Sequence, residues 1–202
     1  MGNTGERLAM GIPYLSVVVG MWCMQSAWLA ILLYHLLIGI FLQRNGWPPV
    51  NRFASDAVQW GAVILPLLSG LLLFLLWPWM EPSNGDLQGR LALFGLEGGG
   101  LWLFVLWFSV VHPILEESLW RTLDPDPWQL FCVQDLCFAG YHGLVVCWFV
   151  SGIWVILCLV VLLSSSMFWR WLTWRSGSRS AALLSHGIAD LSIILAVALM
   201  AG

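Results

Sequence analysis

Six long apolar stretches separated by short polar breaks set the architecture of this chain. The first runs from Leu8 to Leu42 after a polar tail, Met1 to Arg7, and is interrupted by Pro13, Gly20 and Gln25. It exceeds one upright span. It therefore predicts either a tilted helix, or a short interfacial helix followed by a span from about Val17 to Leu42. It also exceeds the apolar core of a secretory signal, which makes it a retained segment. Gln43 to Asp56 reads as a loop, marked by Asn45-Gly46 and Pro48-Pro49. A second span follows from about Ala57 to Trp79, with Pro66 predicting a kink. Glu81 to Glu97 is the most hydrophilic loop, with a turn over Pro82 to Asp86. Gly98-Gly99-Gly100 makes a flexible lead into a third span, Leu101 to Leu123. Asp124-Pro125-Asp126-Pro127 ends that span. A fourth runs from near Trp128 to about Phe149, Ser151-Gly152 turns the chain, and a fifth reaches about Leu163. The sixth covers about Ser180 to Met200. No internal repeat or linker divides the 202 residues. The pattern predicts a single all-α integral membrane domain, a helical bundle of about six spans.

Composition supports this and narrows the function. The chain is 60% hydrophobic and 9% charged, against about 25% charged in an ordinary soluble domain. The net charge is −3, and all eight basic residues are arginine, which excludes a nucleic-acid partner. Fifteen tryptophans suit anchoring at the lipid interface. The five cysteines form no CxxC pair and read as small packing residues. Arginines favour the cytoplasmic side. The cluster Arg170, Arg175, Arg179 and the pair Arg44, Arg52 both place the start of the last span inside. The polar residues described next then fall in the cytoplasmic half of the bilayer.

Charge within apolar sequence is costly, at least ~2.5 kcal/mol per group, so three polar insertions stand out. The first is His112-Pro-Ile-Leu-Glu116-Glu117-Ser-Leu-Trp-Arg121. Glu117 and Arg121 are four apart with the acid first, the favourable order for a helical ion pair. Glu116 points about 100° away and is left to face another helix. The spacing assigns Glu117 and Arg121 to structure and orientation, and Glu116 to chemistry; a purely structural charge network is the alternative. His112 shares the Glu116 face and is an additional candidate. The second insertion is Phe138-Ala-Gly-Tyr-His142, where an aromatic four residues earlier can flank the imidazole. The third is His186-Gly-Ile-Ala-Asp190, where Asp190 can fix the His186 tautomer or bind metal. His35, alone in the first stretch, reads as hydrogen-bonded packing. Two chemistries follow. Glu116 and His142 can hold a water, with Glu116 as general base and His186 and Asp190 stabilising an oxyanion. Alternatively Glu116, His142 and His186 bind a divalent metal such as zinc that activates the water.

Glu116-Glu117-Ser-Leu-Trp-Arg121 resembles the EExxxR motif of the CAAX protease and bacteriocin-processing (Abi) family of intramembrane proteases. Phe138 to His142 is similar to its FxxxH motif, and His186 to Asp190 to its third motif, HxxxN or HxxxD. The three occur in the family's order between about Leu101 and Val197, within a catalytic core of about residues 98–200. The resemblance implies an endopeptidase, glutamate-dependent or a metalloprotease, acting on a peptide or membrane-protein substrate. It implies that Glu116 and His142 position the attacking water while His186 and Asp190 serve the oxyanion. A short, lysine-free chain fits a bacterial member in the inner membrane. Two departures stand against it. Asp190 replaces the Asn of the eukaryotic prenyl-protein proteases, and an ionised carboxylate cannot donate to an oxyanion. Glu116 and His142 are also only 26 residues apart. Ideal helices would leave them offset along the bundle by about 10 Å, unless tilt or an interfacial start over Trp128 to Asp135 closes the gap. The other function classes are a non-enzymatic immunity or scaffold protein of the same fold, and a small proton-coupled transporter built on Glu116 and His142.

Overall fold

The computed structural model describes residues 4–50, 57–82, 85–124 and 129–202. Arg52, most of the Asp124 to Pro127 break, Trp128, and part of the turn after Pro82 lie outside them. Among the described residues every regular element is a helix, and there is no strand. In order they form α1 (Thr4–Met10), α2 (Ile12–Val17), a π-helical turn (Val18–Cys23), α3 (Ala27–Asn45), α4 (Ala57–Ile64), α5 (Leu67–Met80), α6 (Leu87–Leu93), α7 (Gly98–Leu123), α8 (Val133–Val146), α9 (Gly152–Ser176) and α10 (Ser180–Ala201).

Five segments are long and apolar enough to cross a membrane: α3, α4 with α5, α7, α9 and α10. This is an integral membrane protein of all-α class. The first apolar stretch is neither a tilted helix nor a span from Val17. It is a hairpin in which α2 and the π turn fold back onto α3. The break comes where Gln25 takes a left-handed φ of 49° and Ser26 caps α3 by accepting from the Leu29 N–H at 3.1 Å. The kink at Pro66 separates α4 from α5 as the sequence predicts. The expected fourth span is instead the 14-residue α8, about 21 Å long and too short to cross a ~30 Å hydrocarbon core. The fifth span does not stop at Leu163 but continues to Ser176. Ser164 and Ser165 do not break it, because their hydroxyls donate back to the Val160 and Val161 carbonyls at 2.8 and 2.9 Å.

α10 is the central helix, packed on α7, α5, α4 and α9. Two glycines allow its close approach. Gly70 on α5 lies against the Ser192 carbonyl of α10, where an added Cβ would sit 2.0 Å from the oxygen. Gly187 of α10 lies against the Ser109 carbonyl of α7, 3.2 Å from an added Cβ. That carbonyl is the one Pro113 leaves without its helical partner four residues on. The proline thus makes a bare patch on α7, and glycine fits it. His186, next in sequence, is carried against the acidic face of α7.

The short interval between Glu116 and His142 is resolved at the other end of α7. Gln134 donates to the Leu123 carbonyl at 2.6 Å, which hangs the start of α8 on the end of α7. Glu116 lies seven residues before Leu123, and Tyr141 seven after Gln134, about 10.5 Å in each case. The two therefore meet at one depth. The helix starts at Val133 rather than Trp128, and this removes the expected offset.

Candidate active site

Glu116 is completely buried and receives hydrogen bonds from three helices. Its Oε1 accepts from Tyr34 of α3 at 2.9 Å, from Trp120 Nε1 of α7 at 3.3 Å, and from the Tyr141 hydroxyl of α8. Its Oε2 lies 3.0 Å from His112 Nε2 and 3.5 Å from His186 Nε2. His112, Glu116 and Trp120 form one stripe at four-residue spacing. Glu117 and Arg121 form the next, and their expected ion pair is present at 3.1 Å. Arg121 continues to Asp124 at 2.8 Å.

His186 lies between the two acids. Its Nδ1 is 3.0 Å from Glu117 Oε1, while its Nε2 faces Glu116 and, at 3.6 Å, Asp190. Trp169 stacks on the ring at 4.0 Å between centroids. Both nitrogens point at carboxylates, the arrangement of a doubly protonated imidazolium. Glu117, more than Asp190, orients this ring. His142 is placed differently. Its Nδ1 donates to the Phe138 carbonyl at 2.8 Å, because a carbonyl can only accept. Its Nε2 is thereby left as an acceptor, 3.2 Å from the Tyr141 hydroxyl. Phe138 packs against the His142 ring with centroids 4.6 Å apart, as the four-residue spacing predicts.

The sequence-derived residues thus gather, with corrections. Tyr141 stands between Glu116 and His142, so the two do not share a direct contact. Among the described residues, no three His, Cys, Asp or Glu side chains are arranged to hold a metal ion. The set Glu116, His142 and His186 does not converge on one point, because the Tyr141 hydroxyl stands between Glu116 and His142. As arranged, this donor set does not fit zinc. His112 joins the cluster. His35 is buried and hydrogen-bonded, as expected, and its partners are Trp107 and His112. Tyr34, Trp120 and Trp169 were not anticipated. The one signal was Tyr34-His35, an adjacent polar pair in a leucine-rich helix.

An apolar cavity of about 270 Å³ abuts the cluster. Its wall is hydrocarbon and aromatic except at Tyr34, His112, Tyr141 and His142. Glu116, His186 and Asp190 sit behind that polar patch.

Away from the site, Asp135 of α8 is bound by Arg170 of α9 at 2.6 Å and by Ser166 at 2.8 Å. Arg179 is buried and donates to Ser118. Two of the three arginines that mark membrane orientation in the sequence therefore hold helices together, and Arg175 alone of the three is exposed.

No family model matches the chain, and no curated protein and no solved structure matches it.

Proposed function

We propose that this protein is an intramembrane endopeptidase, of the CAAX protease and bacteriocin-processing type, in which Glu116 is the general base. The observation that carries the reading is the place of the Tyr141 hydroxyl. Glu116 Oε1 and His142 Nε2 are both acceptors, and Tyr141 brings one proton to the two of them. A water has two protons and satisfies both. Held there, it turns its lone pairs towards the cavity that Tyr141 and His142 line.

In this reading a water takes the hydroxyl's place between Glu116 and His142. Its oxygen attacks a peptide carbonyl presented in the apolar cavity, and Glu116 takes the departing proton. Glu116 then passes that proton to the leaving amine. His186, beside Oε2, offsets the carboxylate's charge from behind. His186 and Asp190 hold the base rather than meet the oxyanion, since neither lines the cavity. The substrate is a peptide or membrane protein, and the short, lysine-free sequence favours a bacterial inner membrane. A proton-transport role is disfavoured by Trp107. The polar chain through His112 and His35 ends at its indole, which donates and cannot accept a proton.

The test is to reconstitute wild type and Glu116→Ala in liposomes with bacterial membrane proteins and to map new peptide termini by mass spectrometry. New termini with wild type and none with the variant support the proposal. Equal sets from both, or none from either, refute it.

A further inference from the structure

Trp107, His35 and His112 form a chain whose direction is fixed by chemistry. The Trp107 indole N–H lies 3.0 Å from His35 Nδ1. An indole nitrogen only donates, so His35 Nδ1 carries no proton and its Nε2 does. That Nε2 is 3.2 Å from His112 Nδ1, which must accept. The His112 proton therefore resides on Nε2, 3.0 Å from Glu116 Oε2. Stacking holds the rings in this order. His35 lies on Trp107 and on His112, and His112 lies on Phe108 at 4.4 Å.

We infer that Trp107 and His35 are positioning residues that lock His112 in its Nε2–H tautomer, and thereby keep Glu116 a proton acceptor. Without them His112 can place its proton on Nδ1. Its bare Nε2 would then face the carboxylate. Two lone pairs at 3.0 Å repel, and the contact is relieved when Glu116 takes up a proton and donates it to His112. A protonated Glu116 cannot serve as a base. The chain belongs to none of the three motifs, and one of its three members, His35, comes from α3. Its catalytic consequence rests on the proposed hydrolase reading; the tautomer lock does not.

Nitrogen-15 NMR of histidine-labelled full-length protein in lipid nanodiscs reads the tautomer directly. Four histidines are present, so variants of the other three assign the signals. Wild type should show His112 protonated on Nε2 alone. Trp107→Phe and His35→Leu should each give a mixture with Nδ1–H. His35→Gln should restore the wild-type state, since a glutamine amide accepts from Trp107 through its oxygen and donates to His112 through its nitrogen. Turnover by His35→Leu should fall about 10- to 100-fold with KM unchanged, and His35→Gln should recover it. A wild-type His112 protonated on Nδ1, or one indifferent to both Trp107→Phe and His35→Leu, overturns the inference. A tautomer shift with unaltered turnover overturns its link to Glu116. The expected tautomers in a protein that cleaves nothing would leave the lock standing and remove the hydrolase reading instead.

Discussion

Glu116→Gln is the most informative single change, because it keeps the side chain's shape and removes its charge. The amide oxygen can occupy the Oε1 place and keep the donors Tyr34, Trp120 and Tyr141. The amide NH₂ must then take the Oε2 place, 3.0 Å from His112 Nε2 and 3.5 Å from His186 Nε2. Both of those nitrogens are donors in the native arrangement. The carboxylate's charge, which strengthens the hydrogen bonds at Oε1 and pairs with the imidazoles at Oε2, is lost at ~1.5–3 kcal/mol. A buried donor left facing a donor costs a further ~1–3 kcal/mol. The sum, about 2.5–6 kcal/mol, brackets the usual ~3–5 kcal/mol cost of removing one partner from a buried ion pair. For a chain of this length it corresponds to a fall in melting temperature on the order of 10 °C. Loss of the general base removes about 10²- to 10⁴-fold of turnover. Thermal unfolding in micelles measures the first effect, and cleavage of a membrane-inserted reporter peptide in liposomes the second. A variant melting within about 2 °C of wild type would refute the donor count. One cleaving within threefold of wild type would refute Glu116 as base.

Three further outcomes follow from named contacts. Tyr141→Phe opens a water-sized place between two acceptors, so turnover should stay within about threefold of wild type, at a stability cost of about 1 kcal/mol or less; a hundredfold loss would show that the hydroxyl itself takes part. Arg170→Leu strands Asp135 and the Leu130 carbonyl, 3.1 Å from the guanidinium, and should destabilise by about 3–5 kcal/mol, with hydrogen-exchange protection lost first at the start of α8. Burial lifts the Asp124 carboxyl from 3.8 to about 6 against the pull of Arg121. The folded state thus keeps a proton that the unfolded state gives up, and this group's stabilisation is present near pH 4 and lost as pH rises to 6. Asp124→Asn should flatten that fall in melting temperature; a slope unchanged by the substitution would contradict it.

Membrane class, the Pro66 kink, the Glu117–Arg121 pair and the Phe138–His142 contact were all legible in the sequence. Each rests on composition or on spacing within one helix. Much of the site was not, because it rests on contacts between helices distant in sequence. Tyr34 is 82 residues from Glu116, and no local pattern announces it. His35 looked isolated because its partners, Trp107 and His112, lie on α7. Tyr141 was visible within the second motif, but its direction depends on where α8 begins. That start was misplaced because Trp128 looked like an interfacial anchor, whereas the helix begins where Asp135 can accept from the Cys132 N–H at 3.2 Å. The serines after Leu163 looked like a break, because hydroxyl donation to a carbonyl four residues back cannot be told from turn formation by composition alone.

The shortness of α8 ties these features together. A helix of 14 residues within an apolar bundle leaves backbone groups at both ends away from bulk water, and each must find a partner inside the protein. At its start, Asp135 accepts from Cys132, while Arg170 donates to the Gln129 and Leu130 carbonyls. At its end, the Trp22 indole donates to the Leu144 carbonyl at 3.0 Å, and Arg90 to the Trp148 carbonyl at 3.1 Å. Partners from the π turn, α6 and α9 therefore close a helix that cannot close itself. The same constraint serves the site. A full-length span would carry its middle, and His142 with it, past the level of Glu116. A half-length helix hung from Leu123 by Gln134 stops the motif at the depth of the acid. The buried Asp135–Arg170 pair thus sets the register on which the meeting of Glu116, Tyr141 and His142 depends.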